Sequence, residues 1–103
     1  MRRLLLAALL VAPGCTGGLD VGGLVNPAEA QRRGAVELAV KSSFPDIIEE
    51  INRGGGPALN AAFDAAGVPP EDRPARLAQL DGDLGLYQSN PGALVAALLL
   101  YGR

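Results

Sequence analysis

Beyond residue 25, prolines and glycines divide this chain into short segments, and they occupy positions where helices begin and end. Asn26-Pro27 and Asn90-Pro91 each join a residue that caps a helix N-terminus to a proline that suits the first helical turn. β-branched residues are few and do not alternate with polar residues, as a half-buried strand would require. The sequence therefore predicts an all-α fold, a small bundle of about four to five short helices.

Five helices follow from this punctuation and from apolar residues that recur at helical spacing. Asn26 and Glu29 have the spacing of a capping box at the start of the first helix. Gly54 and Gly67 stand where a glycine commonly ends a helix. The predicted spans are 27–41, 45–53, 57–66, 73–88 and 91–101.

The second predicted helix has an apolar stripe and a polar face. The stripe has i, i+3, i+4, i+7 spacing and consists of Phe44, Ile47, Ile48 and Ile51. Glu49, Glu50 and Arg53 are expected to face outward, and Glu49 precedes Arg53 at the i, i+4 spacing that favours an ion pair. Because adjacent residues of a helix diverge by about 100°, we do not expect Glu49 and Glu50 to act as an acid–base pair.

The fourth predicted helix begins after Asp72, its expected cap, and contains Gly82 and Gly85. We expect it to continue to about Gln88 because its apolar residues keep helical spacing, at Leu77, Leu80, Leu84 and Tyr87. The fifth predicted helix is apolar nearly all round, which is typical of a helix buried at the centre of a bundle.

Two features of the sequence provide candidate contact residues for a partner or a ligand. The run of three glycines either forms a tight turn between helices or allows a close approach to its backbone, by the neighbouring helix or by another chain. The fifth helix offers a second surface if it docks a partner instead of filling the core. The candidate contact residues are Gly54, Gly55, Gly56, Leu94, Leu98 and Tyr101.

The first fifteen residues have the layout of a bacterial secretory signal. Arg2 and Arg3 precede an apolar run, 4–12, that has the length of a signal peptide core and is too short to cross a bilayer. The run leads to Ala12-Pro13-Gly14-Cys15, which resembles the lipobox at which bacterial lipoproteins are cut before a lipidated cysteine. We therefore expect a lipoprotein-type signal helix over residues 1–14 and lipidation of Cys15.

Two alternatives to this interpretation stay open. Ala28-Glu29-Ala30 is an A-x-A cleavage site that would release a protein beginning at Gln31, and an ordinary apolar helix of a cytosolic protein is the second alternative. A single cysteine favours lipidation, because a secreted protein with one thiol has no internal disulfide partner. Residues 15–25 are glycine-rich, and we expect them to form a flexible tether. We expect a helical domain over residues 26–103.

Composition argues against several classes of function. The chain has no histidine, the most common general base and transition-metal ligand. Its net charge of −2 and the lack of a basic stripe argue against nucleic acid as a partner. Asp81-Gly82-Asp83 lacks the further ligands of an EF-hand calcium loop. We therefore expect no catalytic residues, no cofactor and no metal.

The order of motifs in the second half of the chain is distinctive. A helix rich in isoleucine and acidic residues leads to a glycine turn, a leucine-containing helix, a Gly-Val-Pro connector, an amphipathic helix and an apolar helix. The residues that carry this order are Ile47-Ile48-Glu49-Glu50-Ile51, Gly54 and Gly56, Leu59, Gly67-Val68-Pro69, and 77–87. The order resembles a family of small secreted proteobacterial proteins known as a domain of unknown function. The resemblance covers residues 44–103 and implies an exported helical domain, without implying an activity.

These observations lead us to expect an exported cell-envelope protein of the periplasm or the outer membrane. The residue after Cys15 is Thr16 and not an aspartate. This resembles the pattern of lipoproteins that are sorted to the outer membrane. We expect a lipid-anchored module that contacts another envelope protein and is not an enzyme. The alternative is a periplasmic protein that binds a small apolar ligand between its helices. No pattern in the sequence predicts an oligomeric state.

Overall fold

The computed structural model describes residues 26–103, which form an all-α unit as predicted. The predicted signal peptide (1–14), Cys15 and the predicted tether (15–25) lie outside the described residues. The described part of the chain contains no strand, and its helices are α1 (Pro27–Ser42), α2 (Phe44–Arg53), α3 (Pro57–Ala66), a 3-10 helix (Pro70–Asp72), α4 (Arg73–Gly82), α5 (Leu84–Tyr87) and α6 (Pro91–Tyr101). Within residues 26–103, no helix has both the length and the apolar character needed to span a membrane.

Side-chain caps define the starts of the first and last helices, as predicted. Asn26 Oδ1 accepts hydrogen bonds from the N–H groups of Ala28 (3.0 Å) and Glu29 (3.2 Å). Asn90 Oδ1 accepts a hydrogen bond from the Ala93 N–H at 3.0 Å. Because these bonds satisfy donors that a helix N-terminus otherwise leaves without a partner, they fix the first residues of α1 and α6.

The fourth predicted helix is broken in the structure, so the prediction of a continuous helix is wrong. α4 ends at Gly82, Asp83 leaves the helical region (φ −109°, ψ 22°), and α5 begins at Leu84. Glycine is a poor helix former, and Gly82 and Gly85 lie on either side of the break. The turn directs Tyr87 into the core, where it is 8% exposed.

Asp72 does not cap α4 with its side chain, although it occupies the predicted position. It is the last residue of the 3-10 helix, and its N–H donates to the Pro69 carbonyl at 3.0 Å. Its backbone angles are already helical (φ −89°, ψ −13°), and its side chain makes no capping hydrogen bond. The chain therefore passes from the 3-10 helix into α4 without the change of backbone direction at which side-chain caps act.

α2, α3 and α6 supply most of the core of the compact unit formed by residues 31–103. α3 packs against both α2 and α6, and α2 also packs against α4 and α5. The predicted stripe of α2 is confirmed, because Ile47 and Ile51 are buried and the other two residues of the stripe pack against the core. α6 buries five of its 11 residues, namely Leu94, Val95, Ala97, Leu98 and Leu99. It therefore lies in the core, as its apolar sequence predicted.

Candidate functional site

An open groove of about 580 Å³ lies beside the glycine turn between α2 and α3. The turn itself contributes Gly54, Gly55 and Gly56 to the lining. The remaining lining residues come from α3, the 3-10 helix and α4, and they are Leu59, Asn60, Phe63, Pro70, Arg73, Pro74 and Leu77. We call this feature the glycine-turn groove. It brings together three of the contact candidates that the sequence identified.

Backbone conformation explains the first two glycines of the turn. Gly54 (φ +105°) and Gly55 (φ +127°) have positive φ angles that residues with a Cβ rarely adopt. Both N–H groups donate to the Glu50 carbonyl, at 3.0 and 2.7 Å. These bonds end α2 at a left-handed residue, which confirms the role predicted for Gly54.

The lack of room for a side chain, and not the backbone conformation, explains the third glycine. Gly56 has an extended backbone (φ 169°) that any residue can adopt. A Cβ at Gly56 would overlap the Glu50 carboxyl group and lie 2.6 Å from its Cγ. The close approach that three glycines permit is therefore made here by the neighbouring helix of the same chain.

Glu50 is buried, so the prediction that it faces outward is wrong. Its side chain caps α3: Glu50 is 4% exposed, and its Oε1 accepts a hydrogen bond from the Leu59 N–H at 2.8 Å. The residue at the N-cap position of α3, Gly56, has no side chain of its own to fill this role. Arg53 Nη2 lies 4.0 Å from Glu50 Oε2, and the predicted pair of Arg53 with Glu49 is present at 3.5 Å.

Arg73 fixes the side of the groove that α4 contributes. Its Nε and Nη2 donate to the Val68 carbonyl at 3.0 and 2.9 Å, and Nη2 also donates to Asp64 Oδ1 at 2.8 Å. The guanidinium carbon lies 5.5 Å from the centre of the Phe63 ring, which is within the range of a cation–π contact. Arg73 thus joins α4 to the end of α3, and it positions the wall of the groove.

The other contact candidates do not join the groove. Leu94 and Leu98 are buried in the core, so neither presents a surface. Tyr101 lies half-buried at the end of α6, with the Arg76 guanidinium carbon 4.6 Å from its ring centre. Burial raises the pKa of Tyr101, and the neighbouring Tyr87 raises it further.

Sequence reasoning did not identify the residues that face the glycine turn across the groove. Arg73 and Leu77 follow the turn at distances that no local pattern connects to it, whereas Asn60 lies in the first turn of α3, where its N–H donates to the Gly56 carbonyl at 3.0 Å. The signal that was available is the third glycine, because two glycines suffice for a turn between helices. A third glycine indicates that a side chain packs closely against the turn.

The residues that line the groove offer no acid–base pair. Among the described residues that line it, Arg73 is the one charged side chain, and none carries a carboxylate, thiol, hydroxyl or imidazole group. General acid–base catalysis needs such a group within hydrogen-bonding reach of the substrate. Over residues 26–103, no three His, Cys, Asp or Glu residues are grouped as a metal ion would require. The lining therefore presents apolar surface, an amide and a guanidinium.

No family model, curated protein or solved structure matches this chain. The resemblance of residues 44–103 to a secreted proteobacterial family stays a prediction. The function must therefore be inferred from the residues of the chain itself.

Proposed function

We propose that this chain is an exported protein of the bacterial cell envelope, anchored to the outer membrane through a lipid on Cys15. Its helical unit acts by binding another protein and not by catalysis. The observation that carries the proposal is the N-terminal sequence, in which Arg2 and Arg3 precede an apolar run of signal-peptide length and then the only cysteine. The glycine-rich sequence 16–25 suits a flexible tether between the anchor and the helices.

The position of α1 supports cleavage before Cys15 over cleavage before Gln31. Ala28-Glu29-Ala30 lies in the first turn of α1, which Asn26 caps. A protein that began at Gln31 would lose this turn together with its cap, and the loss of such a cap costs about 1 kcal/mol. A protein that began at Cys15 keeps α1 whole.

The glycine-turn groove supports a role in binding a protein. Its lining presents polar and apolar surface in nearly equal parts, and its charged residue, Arg73, makes several hydrogen bonds within the fold. Pockets for small apolar ligands enclose most of the ligand surface, whereas this groove is open. α3 and α6 pack against each other, and both bury large side chains, among them Leu59 and Leu98. These features favour a protein partner over a small apolar ligand.

The anchor is tested by intact mass spectrometry of the full-length chain and of Cys15→Ser, each recovered from the membranes of a Gram-negative host. We expect a species that begins at Cys15 and carries acyl chains, and we expect no acyl mass on the serine variant. A soluble species that begins at Gln31, or an unprocessed full-length chain, would refute the anchor.

The binding role is tested in the same host by photo-crosslinking. A photoreactive residue replaces either Asn60, which is exposed in the groove, or Asn52, which is exposed on α2 outside the lining. We expect a protein adduct from position 60 and none from position 52. Adducts from neither position, or equal adducts from both, would count against the groove as the contact surface.

A further inference from the structure

α1 is the longest helix of the described chain, yet it contributes little to the core. Val36 and Val40 are the buried residues among its 16, whereas α6 buries five of 11. Leu38, a large apolar side chain of α1, is 71% exposed. Because the free energy needed to open an element depends on the apolar surface that it buries, α1 has less to hold it in place than α6.

The centre of α1 is also a weak helix former. Gly34 lies in the middle of the helix, and a Cβ there would meet nothing within 4 Å. No packing requirement therefore accounts for this glycine, which lowers the helix propensity of the segment. An isolated helix of this length is marginal in water, so α1 depends on its contacts with the other helices.

One side chain of α1 makes polar contacts with two other helices. Arg32 Nη1 donates to the Ala66 carbonyl at 2.8 Å and to the Leu99 carbonyl at 3.2 Å. These carbonyls lie in the last turns of α3 and α6, and neither helix has a basic residue in its own last turn. A cation is favourable at a helix C-terminus, and Arg32 supplies one to both helices.

Gly102 allows α3 and α6 to meet beside this guanidinium. A Cβ at Gly102 would overlap the Ala66 carbonyl and would lie 2.9 Å from Arg32 Nη1. The Gly102 N–H donates to the Leu98 carbonyl at 3.1 Å, which holds the end of α6 in this position. Arg32 thus lies at a close-packed junction of three helices.

We propose that α1 is a strap that opens as a local unit while α2–α6 stay folded, and that Arg32 is the latch that holds it closed. Opening withdraws Val36 and Val40 from the core and frees the C-terminal carbonyls of α3 and α6. The open form thereby exposes a surface that the closed form covers. This equilibrium is a property of the helical unit and does not depend on the proposed function.

Hydrogen–deuterium exchange of the full-length chain in nonionic detergent micelles tests the strap. Arg32→Gln removes the latch, and Arg33→Gln is the matched control at the exposed neighbouring position. Gly34→Ala strengthens α1 without adding a contact to any other residue. The amides of residues 35–42 report on α1, and those of residues 94–101 report on the core helix α6.

We expect the α1 amides to exchange at least about tenfold faster than the α6 amides in the unaltered chain. Arg32→Gln should accelerate exchange in α1 by about tenfold or more, the effect of losing a hydrogen bond from a charged group, and should accelerate exchange in α6 far less, because the core side chains of α6 stay buried. Arg33→Gln should change neither helix, and Gly34→Ala should slow exchange in α1 alone. Equal exchange in both helices, equal acceleration of both by Arg32→Gln, or no acceleration would overturn the proposal.

Discussion

Replacing Gly56 with alanine tests whether the Glu50 carboxylate requires the third glycine of the turn. The extended backbone of Gly56 accepts alanine without strain, so the added methyl group acts through space alone. That methyl overlaps the Glu50 carboxyl group, which must then move away from the Leu59 N–H that it binds at 2.8 Å. We predict that Gly56→Ala destabilises the helical unit by displacing this side chain.

The expected loss of stability follows from the hydrogen bond that is lost and from the crowding that the added methyl group causes. A hydrogen bond to a charged group contributes about 1.5–3 kcal/mol, and inserting a methyl group into a packed site costs about 1–3 kcal/mol. The two costs overlap, because a carboxylate that moves also relieves the crowding, and we expect a total loss of about 2–3 kcal/mol. With a urea dependence of about 1 kcal/mol per M, the unfolding midpoint falls by about 2–3 M.

Urea unfolding followed by far-ultraviolet circular dichroism measures this loss, in a double-mutant cycle with Glu50→Ala. Once the Glu50 side chain is removed, Gly56→Ala should cost less than about 1 kcal/mol, the residual preference for glycine over alanine at an N-cap. If Gly56→Ala is equally costly with and without the Glu50 side chain, the overlap is not the cause and our explanation of the third glycine is wrong.

Three further substitutions test the core, a helix cap and the pH dependence of stability. Leu98→Ala, at a fully buried position, should lower the free energy of unfolding by about 2–5 kcal/mol, and a loss below about 1 kcal/mol in urea unfolding would show that the site is not tightly packed. Asn90→Ala removes the bond to the Ala93 N–H and should cost about 1 kcal/mol by the same measurement; no loss would mean that this cap does not stabilise α6. Because folding raises the pKa of Tyr101, its contribution to stability is complete below about pH 10 and is lost as the pH rises through the raised pKa. Tyr101→Phe should therefore reduce the decline in unfolding free energy above pH 10, and an unchanged decline would contradict this assignment.

The helix ends could be predicted closely because the signals that set them act within a few residues. α3 and α6 have the predicted bounds, Pro57–Ala66 and Pro91–Tyr101, and α2 begins one residue earlier than predicted, at Phe44. A capping side chain, a first-turn proline and a left-handed glycine each act on the backbone beside them. Such signals do not depend on how the helices pack, so they can be recognised in the sequence.

The glycine-turn groove could be predicted only in part. Its three glycines stand out in the sequence, whereas Arg73 and Leu77 become their neighbours only when α4 packs against α2. Arg73 is fixed there by the Val68 carbonyl and by Asp64, which belong to the end of α3 and the connector after it. The geometry of this side of the groove is therefore a consequence of packing between helices.

The sequence by itself determined the all-α class, the helix caps and the apolar stripe of α2, because local backbone preferences and helical periodicity encode them. Only the tertiary structure decided that Glu50 is buried and that the fourth predicted helix breaks at Asp83. A buried carboxylate needs a hydrogen-bond donor, and the donor for Glu50 is the Leu59 N–H of a different helix. Gly82 and Gly85 weaken that helix, but the packing of α5 against α2 and α6 fixes its new direction. Both outcomes depend on groups that meet only after the helices have packed together.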